Sequence, residues 1–355
     1  MTDQMMLAAV FHGPNDLRVE ERPVPTIGPG EVLLKTVSAS ICGTDLRILH
    51  GSHRLYPPGT ERIPGHEMVG DVVLLGAGTT GANLGDRVFV APNMGCGRCR
   101  QCVSGNNNLC AGYQAIGITI DGAFAEYVRL PAAGLLQGNL IPLADGVDPA
   151  AASMIEPFAC VLRGQDAVDV RPGDVVLVMG AGPIGAMHIL LACLRGAGRV
   201  IVSDPSPERI AMAPRFGADR AVNPAQEDLR AVVAAESGGE GADVIIVAAP
   251  SHAAQQSALE LAALGGRINF FGGLPKDRPN VAFDSNLIHY RELRVTGTTA
   301  CSTDDCRRAA SIVNSGRVDL SAVITARYPL REACEAMALA ENGTALKVVL
   351  EPGPG

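Results

Sequence analysis

The stretch that decides the fold is VVLVMGAGPIGAMHILLACL, which runs from Val175 to Leu194. Its first part is apolar throughout, as in a buried strand, and its last part is apolar enough for a buried helix. Three glycines, Gly180, Gly182 and Gly185, separate these parts in the spacing G-x-G-x-x-G. We therefore interpret the stretch as a strand, a tight turn and a helix, although its apolarity resembles that of a membrane span.

Glycines in this context predict a dinucleotide-binding turn. Gly180 lets the chain turn tightly, Gly182 lets a pyrophosphate approach bare backbone, and Gly185 lets the helix pack on the strand. The helix would begin at Pro183 and Ile184, where free N–H groups and the helix dipole attract phosphate. The glycine spacing alone is weak evidence, and a set of turn glycines in a domain that binds no nucleotide is the alternative interpretation.

An acidic residue on the following strand strengthens this prediction. Asp204 ends the run RVIVSD and follows Gly180 at the spacing from which a carboxylate reaches the adenosine ribose. Such a carboxylate accepts hydrogen bonds from ribose hydroxyls and repels a 2′-phosphate, which predicts NAD as the cofactor. Arg209, one helical turn further on, is expected to flank the adenine.

The whole chain has 355 residues, more than one compact core usually holds. Before residue 150, short apolar runs alternate with Gly and Pro, which predicts a β-barrel-like domain. After about Arg171, strands alternate with helices, which predicts an α/β domain with a doubly wound parallel sheet. We place the domains at residues 1–153 and 154–296, with residues 297–355 returning to the first.

Charge and composition favour small-molecule chemistry. The net charge is −8, and no Lys/Arg block is present, which argues against a nucleic acid or an acidic membrane as partner. The first residues, MTDQMMLAAVFHG, lack the pattern of an export signal, so the cytoplasm is the expected location.

A glycine-rich stretch carries four closely spaced cysteines in the arrangement C-x2-C-x2-C-x7-C. They are Cys96, Cys99, Cys102 and Cys110. Four thiolates complete a tetrahedral zinc shell with no open position, so the predicted site is structural. An iron–sulfur cluster or two disulfides are the alternatives.

A second, dispersed set offers mixed ligands. It comprises Cys42 in SICGTD, His66 and Glu67 in IPGHEMVG, and Glu156 in MIEPFAC. A thiolate, an imidazole and a carboxylate with one position open describe a catalytic zinc site. Each residue alone also has an ordinary structural explanation, such as a cysteine that packs in a core. Spacing alone does not unite them.

Taken together, the motifs resemble those of the zinc-containing medium-chain alcohol dehydrogenases, in the style of the sorbitol and threonine dehydrogenase branches. In family order they are GPGEVLLKTVSASICGTD, IPGHEMVG, the four-cysteine stretch, MIEPFACVLRG, GAGPIG and VIVSDPSPERI. The resemblance covers essentially the full length. It implies a GroES-like β-barrel catalytic domain interrupted by a Rossmann domain, NAD as cofactor, a catalytic and a structural zinc ion in each subunit, and a homotetramer or homodimer.

The resemblance also implies roles for individual residues. Cys42 and His66 would be zinc ligands, and Glu67 or Glu156 would supply a carboxylate directly or through water. Thr44 would hydrogen-bond the substrate hydroxyl.

One position departs from the family pattern. Many relatives have a relay histidine where this chain has Arg47, which does not give up its proton. The proton relay is therefore expected to run through ribose and water, with His50 as the alternative.

The expected activity is oxidation of a secondary hydroxyl of a polyol to a ketose, with NAD as hydride acceptor. The carboxylate-rich set in GHE and MIEP is more typical of the sorbitol branch. L-threonine 3-dehydrogenase and a general secondary alcohol dehydrogenase are the alternatives within this class. A relative that binds a nucleotide without catalysis is the alternative from another class.

Overall fold

The computed structural model describes residues 4–353. The strands, in chain order, are β1 (Met5–Gly13), β2 (Asp16–Pro23), β3 (Val32–Ser40), β4 (Glu67–Leu75), β5 (Arg87–Val90), β6 (Asn93–Met94), β7 (Gln114–Ala115), β8 (Tyr127–Leu130), β9 (Leu140–Pro142), β10 (Val175–Met179), β11 (Arg199–Ser203), β12 (Arg220–Val222), β13 (Ala242–Val247), β14 (Ala262–Phe270), β15 (Arg294–Gly297), β16 (Ile324–Pro329) and β17 (Lys347–Glu351). The helices are α1 (Gly43–Leu49), α2 (Arg100–Val103), α3 (Ala132–Leu136), α4 (Pro149–Ser153), α5 (Ile155–Ala167), α6 (Pro183–Leu194), α7 (Pro207–Met212), α8 (Leu229–Glu236), α9 (His252–Leu261), α10 (Ser285–Tyr290), α11 (Thr303–Asn314) and α12 (Ala333–Asn342).

The chain divides into two compact units. Unit 1 comprises the chain up to Ala159 and from Cys301 onward, and unit 2 is Cys160–Ala300. The predicted domain boundaries, at 153/154 and 296/297, lie a few residues before the corresponding boundaries of the structure, at 159/160 and 300/301. The first division falls inside α5, so one continuous helix contributes to both units.

Unit 1 is built on a seven-stranded sheet with the order β16-β17-β3-β4-β5-β9, in which β8 also pairs with β3. Aliphatic side chains of β3 and β4 are fully buried in its core. The antiparallel register places Ser40, the last residue of β3, opposite Glu67, the first residue of β4. On the other side, the Ile41 N–H donates to the Val348 carbonyl at 2.9 Å. The end of β3 therefore meets β4 and β17 at one point of the sheet.

Unit 2 contains a six-stranded parallel sheet with the order β12-β11-β10-β13-β14-β15. Its inner strands are apolar on both faces because helices cover both sides. The strand order reverses beside β10, which lies between β11 and β13, and such a reversal opens a crevice at the carboxyl ends of the strands. The doubly wound fold expected from the sequence is confirmed.

The apolar stretch Val175–Leu194 forms β10, a turn and α6, as interpreted from its glycines. Among residues 4–353, no helix has both the length and the apolarity needed to cross a membrane.

A fully buried histidine makes unit 2 sensitive to acid. His188 lies in α6, packs edge-on against the Phe271 ring at 4.8 Å and receives a hydrogen bond from Gln165 on its backbone carbonyl. Burial, assisted by the charge of Arg195, lowers the pKa of His188 to about 3. In the unfolded chain the imidazole titrates near pH 6.5, as usual.

We expect wild-type stability to fall as the pH drops from about 6.5 toward 3, because over that range the unfolded chain binds a proton that the folded chain does not. The loss from this residue should be about 2 kcal/mol at pH 5. The variant His188→Leu removes the proton site, so its urea midpoint should change less between pH 7 and pH 5 than that of the wild type. The exposed-site control His289→Gln should follow the wild type. Parallel pH profiles for His188→Leu and wild type would contradict the assignment.

Candidate catalytic metal site and dinucleotide-binding turn

Three of the predicted ligands come together where β3, β4 and α1 meet in unit 1. Cys42 precedes the first residue of α1, His66 precedes β4, and Glu67 begins β4. The register that pairs Ser40 with Glu67 brings the two sequence segments side by side. One ligand atom from each of Cys42, His66 and Glu67 lies within 4.8 Å of the others.

The Glu67 carboxylate is fully buried, and its two oxygens have different surroundings. Oε2 accepts hydrogen bonds from the Ser40 hydroxyl and from Lys347 Nζ, the latter at 2.6 Å. Oε1 has no hydrogen-bond partner among the described residues. A buried charged oxygen without a partner is costly, whereas a metal ion would satisfy it.

His66 has a carboxylate behind its ring. The Asp45 Oδ1 atom lies 3.5 Å from Nδ1 of His66, while Asp45 Oδ2 accepts a hydrogen bond from the Cys42 N–H at 2.8 Å. A carboxylate behind an imidazole orients the ring and strengthens the other nitrogen as a ligand. Asp45 therefore ties two of the candidate ligands to the first turn of α1.

The charges around this group favour a cation. Burial opposes a positive charge on His66, yet Asp45 and Cys42 outweigh it and raise the pKa of His66 well above its usual value. Burial likewise opposes the charge on Lys347, but Glu67 and Cys42 raise the pKa of that lysine. The site therefore offers sulfur, nitrogen and oxygen donors, and one carboxylate oxygen lacks a partner within residues 4–353. Its negative groups also stabilise a positive charge. All three features fit a bound zinc ion.

Glu156, the other predicted carboxylate, lies in the first turn of α5 and is outside this compact group of three. Burial raises the pKa of Glu156, an effect opposed by His66 and reinforced by Glu67, so the carboxyl group is within electrostatic reach of the site. Its Oε1 atom accepts a hydrogen bond from Cys301 Sγ at 3.6 Å.

Thr44 lies in the first turn of α1, beside Cys42. Its Oγ1 accepts a hydrogen bond from Arg47 Nη2 at 3.1 Å, which leaves the hydroxyl proton available for another acceptor. His50 is exposed at the end of α1, where its ring nitrogens lie 3.0 Å from Asn15 Oδ1 and 2.9 Å from Glu341 Oε1. Because both nitrogens face surface partners, this geometry disfavours His50 as the relay.

The four-cysteine lobe, defined as residues 96–110, gathers its thiols around one point. The sulfur atoms of Cys96, Cys99, Cys102 and Cys110 all lie within 4.8 Å of one another. Cys99 Sγ is 3.5 Å from Cys102 Sγ and 3.7 Å from Cys110 Sγ. Thiolates around a single tetrahedral zinc are about 3.8 Å apart, whereas a disulfide needs about 2.05 Å. Backbone N–H groups of Arg98 and Cys99 also lower the pKa of Cys96 to about 6.

Replacing Cys99 by serine is expected to lower the zinc content by one ion per subunit and to make residues 96–110 sensitive to proteases. The physical reason is that the lobe is poor in apolar residues and depends on the metal for its order. Elemental analysis and limited proteolysis measure the two effects. Cys334→Ser, at an exposed cysteine outside the lobe, is the control. Unchanged zinc content in Cys99→Ser would count against the site.

In unit 2, the glycine-rich turn follows β10 at the point where the strand order reverses. Gly180 has a φ of 113°, a conformation that L side chains rarely adopt. A Cβ on Gly185 would lie 1.9 Å from the Gly180 carbonyl oxygen, so α6 can pack here only without a side chain. Gly182 is the residue before α6 and has no side chain to cover the start of the helix. Pro183 and Ile184 begin the first turn. The first N–H groups of α6 therefore offer an anion site.

Asp204 lies just after β11 and is buried beside this turn. Its Oδ2 accepts from the Ala181 N–H and its Oδ1 from the Ser206 N–H, each at 2.8 Å. Each carboxylate oxygen keeps a further lone pair for a ribose hydroxyl. Arg209 Nη1 lies 3.8 Å from Asp204 Oδ2, so the arginine is close to the predicted ribose site.

Several supporting residues of the metal site were not predicted from the sequence. They are Ser40, Asp45, Lys347 and Cys301. Asp45 had a local signal, because an acidic residue at the third position of a helix commonly pairs with the residue that caps it. Lys347 had none, since a lysine at the start of an apolar strand is usually solvated.

A barrel-like unit with a mixed-ligand metal site and a thiolate lobe, together with a dinucleotide-binding unit, defines the class of metal-dependent dehydrogenases. Residues 28–142 match the alcohol dehydrogenase GroES-like domain, and residues 183–315 match the zinc-binding dehydrogenase domain. The chain belongs to the zinc-containing medium-chain alcohol dehydrogenase family and is an oxidoreductase, as its motifs predicted.

Individual relatives match over nearly the full length. The chain is 34% identical to an L-threonine 3-dehydrogenase of Caldanaerobacter subterraneus, over 94% of this chain and 95% of that protein. It is 32% identical to a sorbitol dehydrogenase of Halalkalibacterium halodurans, over 98% of each. A zinc-binding dehydrogenase of Sinorhizobium meliloti, solved with NADP bound, superposes with a TM-score of 0.91 at 33% identity, covering 99% of this chain and all of that one.

Proposed function

We propose that the protein oxidises a secondary hydroxyl of a polyol to a ketone, with NAD as hydride acceptor. The observation that carries this proposal is the buried Glu67 carboxylate beside Cys42 and His66, with one oxygen lacking any partner among the described residues. A thiolate, an imidazole and a carboxylate are a ligand set that leaves zinc an open position for substrate.

Within this proposal, Cys42, His66 and Glu67 would hold the zinc ion, and Glu156 would supply a second carboxylate to the site through water. When bound there, zinc is a Lewis acid that lowers the pKa of a substrate hydroxyl. Asp45 holds the His66 ring, while Ser40 and Lys347 hold one oxygen of Glu67.

Thr44 accepts the proton of the substrate hydroxyl and passes its own proton outward, toward ribose and water. The hydrogen bond from Arg47 fixes the Thr44 hydroxyl for this task and supplies no proton itself. The glycine-rich turn and Asp204 of unit 2 would hold the dinucleotide, whose nicotinamide would supply the hydride acceptor.

The NAD preference rests on Asp204. We expect Asp204→Asn to lower the ratio of kcat/KM with NAD to that with NADP by about tenfold or more, because the amide keeps the shape and removes the charge that repels a 2′-phosphate. Steady-state kinetics with both cofactors measures the ratio. Glu208→Gln removes an equal charge from the neighbouring helix turn and should leave the ratio unchanged. An unchanged ratio in Asp204→Asn would refute the role of this carboxylate.

L-Threonine is the second candidate substrate, favoured by the similarity to an L-threonine 3-dehydrogenase. A screen of NAD reduction with sorbitol and other polyols, L-threonine and 2,3-butanediol separates the candidates, with zinc quantified on the same preparation. Turnover with polyols above the others supports the proposal. Turnover confined to L-threonine would replace it, and no turnover in a zinc-loaded protein would favour a non-catalytic nucleotide-binding relative.

We also propose a homodimer or homotetramer joined through the outer edge of β15. This strand ends the unit 2 sheet, and two exposed apolar residues, Leu264 and Tyr290, lie on the neighbouring segments. A free strand edge is a template for pairing with a second copy. Sedimentation tests this, and a fully active monomer at micromolar concentration would exclude it. We further propose a cytoplasmic location, where a reducing environment keeps the gathered thiols of residues 96–110 available as metal ligands.

A further inference from the structure

Two buried cysteines lie next to Glu156 in unit 1, at a place for which the reaction above has no use. Cys301 and Cys306 are essentially inaccessible, and their sulfur atoms are 3.5 Å apart. Cys301 lies just before α11 and Cys306 within its first turns. The thiol of Cys301 donates to Glu156 Oε1 at 3.6 Å.

The Cys301 backbone and sulfur are themselves held from the other side. Asn93 Nδ2 donates to the Cys301 carbonyl at 2.8 Å and lies 3.7 Å from its sulfur. Tyr113 in turn donates its hydroxyl to Asn93 Oδ1 at 2.7 Å, which fixes the orientation of the amide. The sulfur of Cys301 therefore lies between the oriented amide of Asn93 and the carboxylate of Glu156.

This arrangement continues into the four-cysteine lobe. Asn107, which lies between Cys102 and Cys110, donates from Nδ2 to the Asn93 carbonyl at 2.9 Å. Its Oδ1 accepts the Thr303 N–H at 3.0 Å, at the start of α11. Hydrogen bonds of the buried amides of Asn107 and Asn93 therefore connect the four-cysteine lobe to the Cys301 carbonyl and to the Thr303 N–H.

We propose that Cys301 is a positioning residue for Glu156 and that Asn93 acts on Glu156 through Cys301, so that the order of the four-cysteine lobe is transmitted to the catalytic metal site. A donor fixed on one carboxylate oxygen sets the rotation of the carboxylate and hence the direction of its other oxygen. Partners behind a metal-site group typically change metal affinity by 10–100-fold when removed. The inference rests on the proposed function insofar as Glu156 serves the zinc site.

The test uses the full-length protein with Co²⁺ exchanged into the Cys42 site, whose visible absorption band is assigned by its loss in Cys42→Ser. Chelator competition then gives the Co²⁺ affinity. Cys301→Ala and Asn93→Ala should each weaken Co²⁺ binding about tenfold and shift the band. Cys301→Ser keeps a donor and should stay within about twofold of wild type. Cys306→Ala removes the neighbouring, equally buried thiol and leaves the Cys301 donor in place, so its Co²⁺ affinity should stay near that of the wild type.

The double variant Asn93→Ala/Cys301→Ala separates transmission from general loosening of the fold. If Asn93 acts through Cys301, the double variant should bind Co²⁺ no more weakly than either single variant. Additive losses, or a wild-type affinity and band in Cys301→Ala, would overturn the inference. If no substrate is oxidised while the Co²⁺ pattern holds, the proposed function fails and the positioning role of Cys301 stands.

Discussion

Replacing Cys42 by serine is expected to lower kcat/KM about a thousandfold or more. The serine hydroxyl is not ionised at neutral pH, so the zinc site loses its thiolate and with it several kcal/mol of transition-state stabilisation. The fold should persist, because the backbone N–H of residue 42 still donates to Asp45 and the neighbouring strands are unchanged. Steady-state kinetics, zinc analysis and circular dichroism measure the three parts of this prediction.

The matched control is Cys193→Ser, at an exposed cysteine in unit 2. It should keep both its zinc and its activity, since its sulfur donates to the Gly217 carbonyl and is not among the predicted metal ligands. If Cys42→Ser turned over substrate at the wild-type rate in metal-depleted buffer, this would contradict the proposed metal mechanism.

Lys347→Met should destabilise unit 1 by about 3–5 kcal/mol, because it leaves the Glu67 carboxylate buried without its cation. Both side chains are almost fully inaccessible, so water cannot replace the lost partner. The effect should be larger in protein stripped of metal than in zinc-loaded protein, since a bound cation also neutralises the carboxylate. Thermal unfolding with and without a chelator gives both numbers.

Two further variants make this prediction specific. Lys347→Met/Glu67→Gln removes both charges and should recover much of the stability lost in the single variant. The surface comparison is Arg327, which pairs with Asp148 at an exposed site, and Arg327→Met should cost no more than about 1 kcal/mol. Equal losses in Lys347→Met and Arg327→Met would show that the buried pair has no special role.

The fold could be predicted because its signals are local. The glycine spacing after Val175–Met179 and the alternation of apolar runs with helical segments fix an α/β unit without any knowledge of long-range contacts. One boundary was harder to place. The run HAAQQSALELAAL has a helical pattern throughout, yet α9 ends at Leu261 and β14 begins at Ala262. Alanine and leucine are compatible with either structure, so no residue in the run marks the change.

The candidate metal site was less predictable, because its residues come together only through the register between paired strands. Cys42 and Glu67 approach one another only through the pairing of β3 with β4, which neither segment encodes alone, and only the family resemblance suggested it. The spacing also could not distinguish Glu67 from Glu156. The structure separates them by their surroundings: Glu67 pairs with Lys347, whereas Glu156 receives a thiol hydrogen bond.

The position of Lys347 in the last strand has a consequence for how the protein matures. During synthesis the segments that carry Cys42 and Glu67 leave the ribosome long before β17 does. Until that strand pairs with β3, the Glu67 carboxylate lacks the ammonium group that lets it be buried. The catalytic ion is therefore captured in its final environment only after β17 has been synthesised and has paired with β3, whereas the four-cysteine lobe draws on a single short stretch and can load its metal earlier.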